Sequence, residues 1–376
     1  MRPWSRPLRG RIDELTIESD ALVGNLPGDP TDRPVWIYLP PGYDAEPDRR
    51  YPSIYLIQGM TGQVDMWRNR SAFRPTTPEN IDALFAGEGP GEGAPPPAIV
   101  VFVDCWTSYG GSQYLDSPAT GAYHTYLCKE VVPFVDARYR TMAHRDHRGI
   151  TGKSSGGYGA MITPMLRPDL FGGLATHSGD ALFEACYGPM FAEAARALRD
   201  DYAGSIERWV ADFRSRPAFI RPTDQPIFES YGYAACYSAD PDGTIRLPFD
   251  PATGEVIPEV WERWLRLDPV RMARTPEGAA ALRSMRAIYI DAGDRDEYFL
   301  DMGAEAFRRA CVAASAPEPF FEIFPAKHGA IEYRYPIAIR YLAERLGAWA
   351  PGIIGPAVAD GGPNAAVALR GRGACT

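Results

Sequence analysis

The sequence predicts an α/β fold built on a mostly parallel, doubly wound sheet of about eight strands. Three observations favour this fold. Short apolar runs of the kind buried on both faces of a parallel sheet recur along the chain. Helical patterns separate several of these runs, and a glycine-rich corner joins one of them to a helix. Ligands of such folds bind beyond the carboxyl ends of the strands, so functional residues are expected in the loops at that edge.

Composition restricts the class of partner. The chain has 376 residues and a net charge of −9, which allow a large core and argue against binding nucleic acid. No run of Lys or Arg indicates a membrane surface, and residues 1–11 carry charge without the apolar segment of a secretory signal. No apolar run approaches the ~20 residues that span a bilayer. We expect a small-molecule partner, with no nucleic acid and no membrane, and leave open whether the chain forms a homo-oligomer.

The cysteines are scattered, without the C-x-x-C spacing of a metal or redox site. They are Cys105, Cys128, Cys186, Cys236, Cys311 and Cys375. A chain of this length needs no disulfide staples, and the five histidines do not cluster with the cysteines. We expect reduced thiols, a cytoplasmic location and no metal.

The strands and helices are predicted from periodicity. Residues 12–18 and 34–39 alternate like an antiparallel, half-buried pair, whereas the later strands are continuous apolar runs. Those later strands cover 53–57, 98–103, 147–151, 173–177, 287–291 and 320–324. Steps of three or four residues mark helices within 123–138, 307–314 and 339–346.

Residues 181–270 interrupt this alternation. The segment is rich in aromatic residues and carries one helical piece, roughly 188–215, followed by turn-rich sequence. We expect an insertion that lies over the carboxyl edge as a lid or pocket wall, although an aromatic core serving only the insertion would explain any single residue equally well. Residues 1–180 and 271–350 then form the main domain, and 351–376 an extended or mobile tail.

The glycine-rich corner lies at 148–160. Gly152-Lys-Ser-Ser-Gly156 fits G-x-S-x-G, in which glycines let strand and helix approach and hold Ser154 in a strained, exposed turn. The N–H of Ser155, at the start of the following helix, is placed to stabilise an oxyanion. A phosphate-binding loop is excluded because its first glycine would fall on His147. A structural glycine turn with a bystander serine remains the alternative.

A nucleophilic serine needs a base, and the base needs a carboxylate. His328 follows the last predicted strand and is the only histidine after the acid-rich loop 291–298. Within that loop Asp296 lies far enough from the strand to turn back toward the serine. Asp291 is expected to end the strand and Asp294 to stabilise a turn, with Asp294 the second choice for the acid.

Loops at the same edge supply further candidates. The N–H of Met60 is expected to be the second oxyanion donor, because Gly59 allows a sharp turn after strand 53–57. The candidate substrate contacts are Gln58, Gly59, Asp104, Trp106, His177 and Asp180. As an alternative to substrate contact, the aromatic residues of loop 104–109 would only hold that loop in place. Likewise, His177 would be a hydrogen-bonded histidine near the core. Asp180 and Glu184 hint at polar or cationic substrates.

Several short motifs together resemble the putative-esterase branch of the α/β-hydrolases, which includes esterase D, feruloyl esterases, enterochelin esterases and mycolyltransferases. The motifs are YLPPGY at 38–43, LIQGM at 56–60, the helix 123–139, GKSSGG at 152–157, PDLF at 168–171, SG at 178–179, GDRD at 293–296 and KHG at 327–329. The resemblance covers roughly 30–180 and 283–348. Lys153-Ser154-Ser155 departs from the commoner serine-methionine pair, and the insertion matches no member of the branch.

The resemblance implies an α/β-hydrolase fold and a serine hydrolase that acts on carboxylic esters without a cofactor. By motif position it implies Ser154 as nucleophile, Asp296 as acid, His328 as base, and Met60 and Ser155 as oxyanion donors. The leading hypothesis is a serine carboxylesterase for small to medium molecules that works through an acyl-enzyme. The alternatives are an acyltransferase of the mycolyltransferase type and a catalytically silent binding protein.

Overall fold

A single eight-stranded sheet runs through the computed structural model, which describes residues 7–70, 74–217 and 219–347. Its strand order is β1-β2-β4-β3-β7-β8-β9-β10, and β5 and β6 form a separate small hairpin. The strands are β1 Arg11–Glu18, β2 Asp32–Leu39, β3 Ser53–Ile57, β4 Ile99–Val103, β5 Asp116–Ser117, β6 Gly121–Ala122, β7 Arg148–Ser154, β8 Gly173–Gly179, β9 Ala287–Gly293 and β10 Phe320–Phe324. β2 pairs antiparallel with β1 and β4, and all other pairings in the sheet are parallel. The predicted fold class and its eight strands are confirmed.

Helices cover both faces of the sheet. They are α1 Thr77–Phe85, α2 Tyr123–Thr125, α3 Val132–Arg138, α4 Ser155–Leu166, α5 Phe183–Cys186, α6 Gly188–Tyr202, α7 Ile206–Ser215, α8 Asp224–Tyr237, α9 Pro258–Leu265, α10 Pro269–Met272, α11 Pro276–Arg283, α12 Leu300–Ala313 and α13 Tyr335–Leu346. A π-helical stretch, Tyr126–Val131, joins α2 to α3, and short 3₁₀ turns cover Tyr43–Ala45, Val64–Arg68, Arg145–His147 and Glu332–Arg334.

The central strands are buried on both sides because their residues alternate between two apolar clusters. In β3, Tyr55 and Ile57 belong to the apolar cluster that includes residues of α3, α4 and α12, whereas Ile54 and Leu56 belong to the cluster that includes residues of α1 and α13. This period of two explains why the strand reads as a continuous apolar run. The helices thus hold the sheet rigid, and the loops at its carboxyl edge stay free to carry polar groups.

The segment between β8 and β9 holds α5 to α11. The prediction of one helical piece at 188–215 is wrong: α6 ends at Tyr202, Ala203 adopts φ 52°, and α7 begins at Ile206. The prediction of turn-rich sequence afterwards is also wrong over α8, a helix of 14 residues. Pro226 and Gly232 weaken the helical signal of α8, whereas burial of its small and aromatic side chains stabilises the helix in the fold.

Two further findings concern the cysteines and the length of the helices. Cys105, Cys128, Cys186, Cys236 and Cys311 are free and buried, while Cys375 and the tail at 351–376 lie outside the described residues. In the part of the chain that the structure describes, no helix is both long and apolar enough to cross a membrane.

Candidate active site

Ser154 lies at the sharp corner where β7 ends and α4 begins. Its backbone has φ 59° and ψ −128°, a conformation that non-glycine residues rarely adopt. The flanking glycines make the corner sterically feasible. A Cβ on Gly152 would lie 2.4 Å from the carbonyl oxygen of Gly156, and a Cβ on Gly156 would lie 2.5 Å from that of Ile57. The strained turn predicted from G-x-S-x-G is present.

His328 and Asp296 meet in the loops that follow β10 and β9. The Nδ1 atom of His328 lies 2.8 Å from Oδ2 of Asp296, whose side chain is fully buried. The N–H of Tyr298 also donates to Asp296, at 3.0 Å, and fixes the carboxylate. Asp294 instead accepts a hydrogen bond from the N–H of Ala326 at 3.1 Å. The structure therefore places Asp296, and not Asp294, against the imidazole.

Ser154 and His328 line one cavity of about 250 Å³ at the carboxyl edge of the sheet. The insertion supplies part of its wall through Tyr187 before α6 and through Glu229 and Tyr233 of α8. A serine in a strained turn and a histidine held by a buried carboxylate thus face a space large enough for a small molecule.

The loop after β3 packs directly on the corner. A Cβ on Gly59 would lie 3.1 Å from the carbonyl oxygen of Lys153 and 3.3 Å from Cβ of Ser154. Gly59 and Met60 both line the cavity, and no described residue accepts a hydrogen bond from the N–H of Met60. Ser155 begins α4, where backbone N–H groups have no partner within the helix. These two N–H groups are therefore available to stabilise negative charge beside Ser154.

Asp180 is buried beneath the corner and borders the cavity. Its Oδ2 atom accepts hydrogen bonds from Ser155 Oγ at 3.0 Å, Tyr187 OH at 2.9 Å and Gln113 Nε2 at 3.3 Å. Burial raises the pKa of the Asp180 carboxyl, and these hydrogen bonds offset the effect only in part. The predicted contact residue Asp180 thus does reach the cavity, as Gly59 does.

Three charged residues at the cavity, Glu229, Lys153 and Glu332, were not predicted from the sequence. Burial raises the pKa of Glu229 to about 7, although a hydrogen bond from Gln225 acts to lower it. Lys153 Nζ lies 3.0 Å from Glu332 Oε1 and 3.5 Å from the carbonyl oxygen of His328. Burial acts to raise the pKa of Glu332, but the charge and the hydrogen bond of Lys153, together with smaller contributions, lower that pKa overall. The position of Lys153 next to Ser154 was the one available signal, and Glu229 belongs to the helix that sequence patterning missed.

Asp104 and His177, predicted as substrate contacts, do not line the cavity. Asp104 is buried in an ion pair with Arg33 and accepts the N–H of Val64 at 2.7 Å. The side chain of His177 is 1% exposed, with Nδ1 2.7 Å from Oδ1 of Asp291. The near-core alternative for His177 therefore describes its position, and the two substrate-contact predictions are corrected.

Gln58 and Trp106 are likewise absent from the cavity lining. Gln58 is buried, with Nε2 3.4 Å from Asp104 Oδ2, and the carbonyl of Trp106 accepts hydrogen bonds from Arg33 and Tyr123. Glu184, expected at the rim, pairs with Arg271 on the surface. Gln58 and the backbone carbonyl of Trp106 thus bond within the protein, Glu184 lies on the surface, and none of the three lines the cavity.

Comparison with known proteins finds a matching family model and relatives that match part of the chain. A family model described as putative esterase matches residues 30–322. An uncharacterized protein of Corynebacterium glutamicum is 27% identical over 173 residues, which are 46% of this chain and 36% of that protein. An esterase of Mycobacterium tuberculosis is 27% identical over 176 residues, which are 45% of this chain and 34% of that protein. The matched segment spans about a third of the length of these curated relatives.

A solved ferulic acid esterase has the same fold. It superposes with a TM-score of 0.56 at 20% sequence identity, over 90% of this chain and 98% of that one. At this identity the likeness concerns the α/β-hydrolase fold and not the substrate.

Proposed function

The chain belongs to the putative-esterase family, and on that premise we propose that it is a serine carboxylesterase for small to medium molecules, working through an acyl-enzyme. One observation carries the proposal. His328, held at 2.8 Å by buried Asp296, and the strained Ser154 line the same cavity. A serine hydroxyl becomes an effective nucleophile when an oriented imidazole accepts its proton.

In the proposed reaction, Ser154 Oγ attacks the ester carbonyl carbon while His328 Nε2 accepts the hydroxyl proton. The N–H groups of Met60 and Ser155 stabilise the oxyanion of the tetrahedral intermediate. Collapse of the intermediate expels the alcohol, which takes the proton from His328, and leaves an acyl group on Ser154. Water, deprotonated by His328, then attacks the acyl-enzyme, the bond from the acyl carbon to Ser154 Oγ breaks, and Oγ takes the proton back from His328 as the acid leaves. Asp296 holds the ring in the required tautomer and stabilises the imidazolium. No step requires a cofactor.

Pre-steady-state hydrolysis of nitrophenyl esters tests this proposal. Wild-type protein is expected to release a burst of nitrophenol equal to the enzyme concentration, because the good leaving group makes acylation faster than deacylation. Ser154→Ala is expected to lose the burst and to reduce kcat by about 10³-fold or more. Ser205→Ala, at the N-cap of α7, is the control with unchanged kinetics. Substantial activity in Ser154→Ala would overturn the assignment and point to Ser155 next.

A screen of possible substrates should include nitrophenyl esters with acyl groups of different length, a feruloyl ester and a thioester. Product ratios with and without an acceptor alcohol distinguish hydrolysis from acyl transfer. The absence of any burst or turnover in folded protein would favour the silent binding protein. A cytoplasmic location stays a prediction from the cysteine pattern.

A further inference from the structure

Two acidic groups of the catalytic cavity lack matching cations. Its charged lining residues are Lys153, Asp180, Glu229, His328 and Glu332. Lys153 is paired with Glu332, and His328 is held by Asp296. Asp180 and Glu229 have neutral hydrogen-bond donors as their direct partners among the described residues. The cavity therefore has two carboxyl groups that no lysine or arginine compensates.

Asp180 has one carboxylate oxygen without a hydrogen-bond donor among the described residues. All three hydrogen bonds that it accepts through its side chain from described residues end on Oδ2. The residue is 3% exposed and lines the cavity, and no described residue donates a hydrogen bond to Oδ1. A buried carboxylate oxygen in this position is costly unless a ligand donates to it or carries positive charge.

Glu229 reaches the cavity from α8 and is bound on one oxygen only. Its Oε1 atom accepts hydrogen bonds from Gln225 Nε2 at 3.1 Å and from Tyr298 OH at 3.5 Å. Within the described residues Oε2 has no hydrogen-bond partner. Tyr298 also packs edge-on against the ring of His328, with centroids 4.9 Å apart. Glu229 is thus placed beside the catalytic histidine with one oxygen free for a ligand.

Aromatic rings complete the lining. Trp67, Tyr187, Tyr233, Tyr298 and Tyr335 all border the cavity. Electron-rich ring faces attract organic cations, and the attraction is strongest where water is excluded. Carboxylates without counter-ions combined with aromatic walls are a lining that suits an ammonium group better than a neutral or anionic one.

We propose that this cavity binds an ammonium group, so that the preferred substrates are esters bearing a quaternary or protonated amine, with Asp180 and Glu229 as the specificity-determining residues. The inference rests on the proposed function for its catalytic step, because the ammonium group is located by the cavity in which Ser154 and His328 act. Binding of the cation itself requires no turnover and can be measured separately.

The first experiment measures binding without catalysis. Isothermal titration calorimetry compares choline with its neutral carbon isostere, in which a tert-butyl group replaces the trimethylammonium group. Choline is expected to bind wild-type protein at least about tenfold more tightly, the size of one close charge contact. Equal affinity, or tighter binding of the isostere, would overturn the proposal. Preferential binding of choline without hydrolysis of any ester would instead refute the esterase proposal and leave the cation site standing.

The second experiment measures kcat/KM for two matched pairs of esters, with the trimethylammonium or tert-butyl group on the alcohol in one pair and on the acyl chain in the other. Wild-type protein is expected to prefer the cationic ester in at least one pair by about tenfold or more. Glu229→Gln removes the charge at constant shape and is expected to reduce that preference by about tenfold. Glu184 is a glutamate of the same insertion that lies outside the cavity. Glu184→Gln is therefore the matched control, and it is expected to retain the preference for the cationic ester. An unchanged preference in Glu229→Gln would contradict the role of Glu229.

Discussion

His328 Nδ1 and Asp296 Oδ2 lie 2.8 Å apart although 32 residues separate them along the chain. The contact depends on β9 and β10 being parallel neighbours, so that the loops after both strands emerge at one edge of the sheet. The main-chain N–H of His328 also donates to Glu297 Oε2 at 2.8 Å and ties the two loops together. The Asp296 carboxylate thereby sets the tautomer of His328, the proposed base, and helps to fix its position.

Asp296→Asn is expected to reduce kcat by about 10³- to 10⁴-fold, because an amide stabilises the wrong tautomer and cannot balance the imidazolium. Asp294→Asn is the matched control, since Asp294 stabilises a turn through the N–H of Ala326. Its kcat is expected to stay within a few fold of wild type. Steady-state hydrolysis of a nitrophenyl ester measures both. A larger loss in Asp294→Asn than in Asp296→Asn would show that the acid is misassigned.

Lys153 is expected to position the loop that carries His328, through its contacts with Glu332 and the carbonyl oxygen of His328. Lys153→Met should lower kcat by about three- to tenfold with little change in KM, because a small displacement of the base weakens proton transfer. Glu332→Gln and the double variant that combines it with Lys153→Met complete a double-mutant cycle, in which kcat is measured for each protein. If the two residues act as a pair, the double variant loses no more than the Lys153 variant. Strictly additive losses would show that they act independently.

The preference for a cationic over a neutral ester is expected to rise with pH. Glu229, whose pKa burial raises to about 7, is neutral below that pH and negatively charged above it. The groups around it are Gln225 on its own helix, Tyr298 across the cavity, and the more distant charges of Asp180 and His328. A change of catalytic activity with pH that is common to both esters cancels in the kcat/KM ratio. A ratio that is flat from about pH 6 to about pH 8 in wild type would contradict this prediction, whereas Glu229→Gln should show the weaker dependence.

Gly156→Ala is expected to destabilise the protein by about 1–3 kcal/mol, because the added Cβ would lie 2.5 Å from the carbonyl oxygen of Ile57. The strained corner cannot move away without losing the contact between β7 and α4. Gly188→Ala is the control, since a Cβ there meets no atom within 4 Å. Urea unfolding measures both free energies. Equal stability of Gly156→Ala and wild type would show that the corner is less tightly packed than described here.

The strands, the strained serine corner and the loops of Asp296 and His328 could be predicted because each has a local signature. An apolar run, a G-x-S-x-G frame and the order of serine, acid and histidine all lie within the sequence itself. Glu229 had no such signature. Its helix contains Pro226 and Gly232, and a Cβ on Gly232 would lie 2.4 Å from the carbonyl oxygen of Tyr109. The glycine that weakens the helical pattern is therefore required for close packing.

Asp104 and His177 were predicted to line the cavity, but the structure places both in the interior. Both belong to strands or loops that end at the functional edge, which made them candidates for substrate contact. Their partners, Arg33 for Asp104 and Asp291 for His177, lie 71 and 114 residues away along the chain and hold them in the interior. Local patterning shows where a polar residue occurs, but a distant counter-charge decides whether it faces the cavity or the core.

Labelling with a fluorophosphonate probe tests the central claim most directly, because the probe reacts with a serine that an oriented histidine activates. Peptide mass spectrometry after incubation of the folded protein is predicted to show one adduct on Ser154, with labelling abolished in His328→Gln and in protein unfolded beforehand. Folded protein without an adduct on Ser154, or with an adduct on another serine, would contradict the assignment of Ser154 and His328 as nucleophile and base.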